Sequence, residues 1–154
     1  MPPTPLLQPV RSVFRALATT VVPEAAVLDE HEWGEVERIV EEALATKSAK
    51  VRRQVVIFLR LVQLVPAERY GRPFTRLAPA RRAAFAAGLE RSRLHMIRRG
   101  FWGLRTLILM GYYGRPEAAA VVGYRAHPDG WAHRGGTASL VPLVADSPWI
   151  EPLA

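Results

Sequence analysis

Cysteine is absent from this sequence of 154 residues. Its absence excludes disulfides, thiolate zinc sites, iron–sulfur clusters and cysteine nucleophiles. Long apolar runs are missing as well. The longest apolar stretch, residues 55–65, is interrupted by Arg60 and Gln63, and it is far shorter than the ~20 residues that cross a bilayer. We therefore expect no membrane partner.

The N-terminal segment, residues 1–9, is rich in proline and carries no charged side chain. It has neither the basic start nor the long apolar stretch of a secretory signal. The arginine pairs of the chain all lie further along, so none is placed as a twin-arginine leader. We expect residues 1–9 to be a flexible segment and the protein to be cytoplasmic, with the periplasm as the alternative.

Charge is unevenly distributed along the chain. Residues 1–50 carry five basic and eight acidic side chains, a balance of −3, whereas residues 51–154 carry sixteen and six, a balance of +10. A basic half suits a nucleic acid or an acidic protein partner. The arginines do not gather into one run as in a nucleic-acid-binding arm, so we expect no nucleic acid. A basic helical nucleic-acid-binding or general protein-interaction module remains the alternative.

The spacing of apolar residues predicts an all-α fold, a compact domain of five to six helices. The predicted helices span residues 10–22, 32–46, 49–65, 79–113 with a kink or break near 91–94, and a short 116–122. Pro23 and Pro66 are expected to end the first and third helices. The helical domain thus covers residues 10–123. Residues 124–154 show little periodicity and are predicted to form an extended, irregular tail that binds a partner.

The third predicted helix is apolar on nearly every side. Such a helix is normally central and covered by its neighbours, and this is what we expect here. Arg60, on the same helix, must then pair with an acid, for which the second helix is the natural source, or extend its head to solvent. The acids of residues 24–42 otherwise fit a solvated helix face.

Few residues offer catalytic or metal chemistry, and we assign no catalytic residue. His127, Asp129 and His133 lie close together and are weak candidates for a metal site. Their spacing falls on a Gly/Pro loop and no second cluster supplies further ligands, so surface or interface histidines are the alternative, and we expect no metal. His95 is expected to be a packed or hydrogen-bonded residue. No glycine-rich phosphate loop is present, so no cofactor is expected in this chain.

Aromatic residues with a polar tip are the richest feature of the C-terminal third. Such side chains are favoured at protein interfaces, although they also cap a domain's own core, and both interpretations stay open. The partner-binding candidates are these aromatic residues together with one arginine: Tyr112, Tyr113, Tyr124, Arg125, Trp131 and Trp149.

Several short motifs follow one another in a fixed order. They are residues 74–82 (FTRLAPARR), 89–93 (LERSR), 101–107 (FWGLRTL), 111–116 (GYYGRP) and 122–125 (VGYR), preceded by residues 11–23, which end in TVVP. Together they resemble the gluconate 2-dehydrogenase subunit 3 family over about residues 10–125. Leu89 stands where that family commonly has tryptophan, and the tail beyond Arg125 is not covered.

The resemblance implies a helical small subunit without a cofactor of its own. Its relatives accompany a large flavin-carrying chain of the glucose–methanol–choline oxidoreductase family, which oxidises an alcohol or a sugar hydroxyl. The expected partner is therefore a large flavin-dependent oxidoreductase subunit in a hetero-oligomer, with FAD bound to that partner. The resemblance further implies that the small subunit assists the folding, stability or export of the large one.

Overall fold

The computed structural model describes residues 5–121 and 123, and six α-helices account for most of them. The helices are α1 (Arg11–Val21), α2 (Glu30–Ala45), α3 (Ala49–Tyr70), α4 (Pro79–Glu90), α5 (His95–Tyr113) and α6 (Pro116–Val121). Short 3-10 turns occupy Gln8–Val10, Pro23–Val27 and Phe74–Arg76. No strand occurs within these residues, and the predicted all-α fold is confirmed.

Helix starts follow from local chemistry. The Asp29 carboxylate accepts a hydrogen bond from the Glu32 N–H at 2.8 Å, and the Glu32 carboxylate accepts one from the Asp29 N–H at 2.9 Å. This reciprocal capping box begins α2 at Glu30, two residues earlier than predicted. Helix α4 begins with Pro79, whose missing N–H leaves no helical bond unmade at the first position. The predicted break near residues 91–94 is confirmed, since it separates α4 from α5.

The end of α3 differs from the prediction. Pro66 does not close the helix, which continues for one more turn to Tyr70. The helix ends at Gly71, which adopts the left-handed conformation with φ of 68° and donates its N–H to the Ala67 carbonyl at 2.9 Å. A glycine in this conformation satisfies a terminal carbonyl without a Cβ clash. The prediction that Pro66 ends the helix is wrong. Proline removes only its own backbone donor, and the Gly71 cap stabilises the single turn that follows it.

The core is built around α1, which contacts α3, α4 and α5. Phe14 and Leu17 on α1 are completely buried. Phe74, in the turn before α4, is also completely buried and lies 5.8 Å from the Phe85 ring. Helix α2 packs chiefly against α5. The hydrophobic core therefore joins the first helix to the last long one.

The packed structure begins before residue 10. Leu7 is buried, and its N–H donates a hydrogen bond of 2.6 Å to Glu41 Oε1 on α2. The turn that follows, Gln8–Val10, buries Val10. Part of the segment that the sequence suggested to be flexible is thus packed, because the Leu7 N–H binds α2 and the Leu7 side chain belongs to the hydrophobic core.

Candidate interaction surface

The two tyrosines that end α5 lie edge to face, with ring centroids 5.0 Å apart. Tyr112 is half-buried and packs against the hydrophobic core, whereas Tyr113 is exposed. Each of the two interpretations of the aromatic residues therefore fits one of the two tyrosines. Tyr112 caps the domain's own core, and Tyr113 presents a ring to solvent.

Arg115 secures this end of the molecule. Its side chain is 3% exposed, and its Nη1 donates to Glu32 Oε1 at 3.0 Å. The guanidinium also lies 4.9 Å from the Tyr112 ring, and its Nε donates to the Tyr112 carbonyl at 3.3 Å. This ion pair connects the end of α5 to the first turn of α2. Sequence reasoning missed it, since the partners are 83 residues apart.

The acidic helix is less solvated than the sequence suggested. Glu37 is buried, and its Oε1 accepts a hydrogen bond from Arg15 Nε at 2.7 Å. Its Oε2 lies 3.0 Å from Arg11 Nε in a second salt bridge. Arg15 also donates to Glu30 at 2.7 Å and lies over the Trp33 ring at 5.2 Å. The interpretation of residues 24–42 as a solvated face is wrong for Glu37, because two arginines of α1 neutralise it.

The Arg15–Glu30 contact shifts the ionisation of both groups. The hydrogen bond to Glu30 is the largest cause that raises the pKa of Arg15, and Glu37 adds to it. The same hydrogen bond and the guanidinium charge lower the pKa of Glu30. Both groups are therefore charged around neutral pH, and they form a structural ion pair rather than a proton-transferring one.

The remaining predicted residues fall into two groups. Those of the tail lie outside the described residues: Tyr124, Arg125, His127, Asp129, Trp131, His133 and Trp149. His95 is described, and it is exposed at the first position of α5, so the prediction of a packed histidine is wrong. In the part of the chain that the structure describes, no cluster of three or more metal-ligating side chains is found. No helix there is long and apolar enough to span a membrane.

Helix α3 carries the largest departure from the prediction. Its inner side, formed by Leu59, Val62 and Pro66, is buried in the core. Its opposite side is open to solvent and bears a row of four large apolar side chains, which we call the outward α3 face. These residues and their exposed fractions are Ile57 (47%), Leu61 (51%), Leu64 (63%) and Val65 (47%). The expectation that neighbours cover α3 on all sides is wrong, because the helix lies at the edge of the domain.

Arginines border the outward α3 face. Arg53 and Arg60 are both exposed, and each lies next to the apolar row. Arg60 was expected either to pair with an acid of the second helix or to extend its head to solvent, and its exposed position on the outer side of α3 fits the second alternative. An exposed apolar row with a charged border is typical of a protein-binding surface.

Comparison of the chain with protein-family models, with curated proteins and with solved structures found no significant match.

Proposed function

We propose that this chain is a non-catalytic accessory subunit that stabilises the large, flavin-carrying chain of an FAD-dependent alcohol or sugar oxidoreductase. The observation that carries the proposal is the ordered series of motifs over residues 74–125, which resembles the gluconate 2-dehydrogenase subunit 3 family. The flavin belongs to the partner, and this chain supplies a folded helical surface. Its compartment, expected to be the cytoplasm, stays a prediction.

The first motif has a structural task in this chain. Arg82 lies over the Phe74 ring at 5.8 Å and donates through Nε to the Phe74 carbonyl at 3.2 Å. A second donor of the same guanidinium binds the Thr75 carbonyl. Leu77 is buried, and Pro79 begins α4. The pattern F-x-R-L-x-P-x-x-R therefore builds a capped turn rather than a reaction centre.

The next motifs also contribute to the fold. Glu90 and Arg105 form an ion pair of 2.8 Å between α4 and α5, and thus join the second motif to the third. In the fourth motif, Gly111 lies against α2 and Arg115 is buried beside Glu32. Because the described motif residues are used for packing and capping, a scaffold role suits them better than catalysis. This supports the non-catalytic part of the proposal.

Co-expression with a flavin-dependent oxidoreductase chain encoded beside this one tests the proposal. We expect the two chains to purify together with bound flavin, and the large chain expressed alone to be less soluble or to lose flavin. The control is the small chain expressed alone, which we expect to bind no flavin. If the large chain is soluble, active and flavin-loaded without its companion, the proposal is wrong.

A nucleic-acid-binding module is the second candidate, and the +10 balance of residues 51–154 favours it. Its affinity for DNA or RNA would fall steeply with salt, because binding releases condensed counterions. The apolar row beside Arg53 and Arg60 does not suit phosphate contact. A gel shift at low salt with duplex and single-stranded probes separates the two candidates, and we expect no shift.

A further inference from the structure

We propose that the outward α3 face binds one helix of a partner protein, a helix with an apolar seam bordered by carboxylates. The inference goes beyond the proposed function, since it assigns a surface and a partner chemistry and does not require the partner to carry a flavin.

The spacing on α3 is that of a helix-pairing seam. Ile57, Leu61 and Leu64 follow one another in steps of four and three, and Val65 adjoins them. In a seven-residue repeat this places Ile57 and Leu64 at one seam position and Leu61 at the other. A facing helix can insert its own apolar side chains between them. The seam lies opposite the core side of α3, where Leu59 and Val62 are buried.

Charge selects the partner. In the same repeat Arg53 and Arg60 are one heptad apart, at the flanking position that forms ion pairs across two helices. Both are exposed. The two arginines at this flanking position are both positive, whereas the exposed Glu68 takes the seam position after Leu64 and ends the apolar row. A partner helix with Glu or Asp opposite the two arginines complements them.

The same charges disfavour an antiparallel second copy of this chain as the occupant. In an antiparallel pair, like flanking positions face each other, so Arg53 and Arg60 of one copy would meet the same arginines of the other. Like charges that face each other across two paired helices destabilise the pair. An acidic partner turns this repulsion into attraction.

The apolar row also has enough area to matter. Four aliphatic side chains, each about half exposed, present on the order of a few hundred Å², the size of the patches that mark interaction sites on soluble proteins. Burial of these side chains supplies affinity, and the arginine border supplies orientation and selection against basic partners.

The test uses the full-length chain and two synthetic three-heptad helical peptides. Both have leucine at the seam positions; one has glutamate and the other lysine at the flanking positions. We expect the acidic peptide to shift NMR signals of residues 53–65 and its affinity to fall as NaCl is raised from about 0.05 M to about 0.5 M. Leu61→Glu should weaken its binding at least about tenfold. The lysine peptide should not bind.

Val27→Glu is the matched control, since Val27 is 86% exposed and lies on the turn between α1 and α2. It introduces the same charge away from α3 and should leave peptide binding unchanged. Leu61 and Val27 are both exposed, so neither variant is expected to unfold the domain. Equal binding of both peptides, or no shift within residues 53–65, overturns the proposal.

The absence of cysteine provides a direct test of the other occupants. A spin label on Leu61→Cys modifies the full-length chain at one position only. Broadening of signals from residues 124–154 would show that the chain's own tail covers the face, and sedimentation as a dimer that Leu61→Glu dissociates would show a second copy. Either result overturns the proposal.

Co-expression separates this inference from the proposed function. If the acidic peptide fails to bind while the flavin-carrying chain co-purifies with the wild-type chain, the docking assignment is wrong while the accessory role stands. If the acidic peptide binds as expected but the flavin-carrying chain does not co-purify with the wild-type chain, the docking surface stands and the accessory role fails.

Discussion

Helices α2 and α5 pack tightly against each other at Gly111, and this contact leads to a testable prediction. A Cβ at this position would lie 2.8 Å from Val40 Cγ2 and 3.1 Å from both Val36 Cγ1 and the Val36 carbonyl oxygen. Both valines are buried, and a β-branched side chain in a helix has one strongly preferred rotamer. Gly111→Ala must therefore push the two helices apart.

The magnitude follows from two opposing effects. Overpacking a filled core costs about 1–3 kcal/mol. Alanine in place of glycine within a helix returns up to about 1 kcal/mol. We expect Gly111→Ala to lower the free energy of unfolding by about 1–2 kcal/mol, which corresponds to a melting temperature about 5 °C lower for a domain of this size. Urea and thermal unfolding followed by far-UV circular dichroism measure both quantities.

Gly103 provides the matched control on the same helix. It is exposed, and no atom lies within 4 Å of the Cβ that alanine would add. Gly103→Ala should therefore raise the free energy of unfolding by about 0.5–1 kcal/mol through helix propensity alone. If Gly111→Ala proves as stable as Gly103→Ala, the close packing of α2 on α5 at this position is refuted.

Two ion pairs carry the remaining predictions. Glu32→Gln keeps the helix cap but leaves Arg115 buried without a charge partner, so we expect the free energy of unfolding to fall by about 2 kcal/mol. Arg115→Met should cost less, because Glu32 can then hydrate. Equal losses of the two variants in urea unfolding would contradict the burial of Arg115. The pKa of Glu30 is lowered from its ordinary 4.5 mainly by Arg15, so its stabilisation is present above pH 4.5 and is lost as the pH falls through the lowered value. Glu30→Gln should make the stability profile flatter below pH 4.5, and an unchanged profile would refute the pairing.

Features that depend on neighbouring residues were readable from the sequence. Pro79 placed the start of α4, and the segment between Glu90 and His95 was expected to break the long helical pattern. In both cases the cause lies within a few residues of the chain, where the missing N–H of proline or an interrupted apolar repeat acts directly. The motif at residues 74–82 likewise folds as a local unit.

Features that depend on packing were not readable. Whether Leu61 faces a neighbour or solvent is decided by where α3 lies in the domain, and its apolar pattern is the same in both cases. The burial of Glu37 likewise requires Arg11 and Arg15 from another helix. Pro66 was expected to end α3 because proline usually breaks a helix, but the helix continues to Tyr70 and is capped at Gly71.

The pairing of α2 with α5 has a consequence for synthesis of the chain on the ribosome. Val36 and Val40 emerge early, but Gly111, against which they pack, is made some seventy residues later. At about 5–20 residues per second, several seconds pass in between. During that time the apolar side of α2 has no native partner to cover it. The nascent chain therefore spends nearly half of its synthesis with its main helix–helix interface half made, and the domain closes only when its last long helix leaves the exit tunnel.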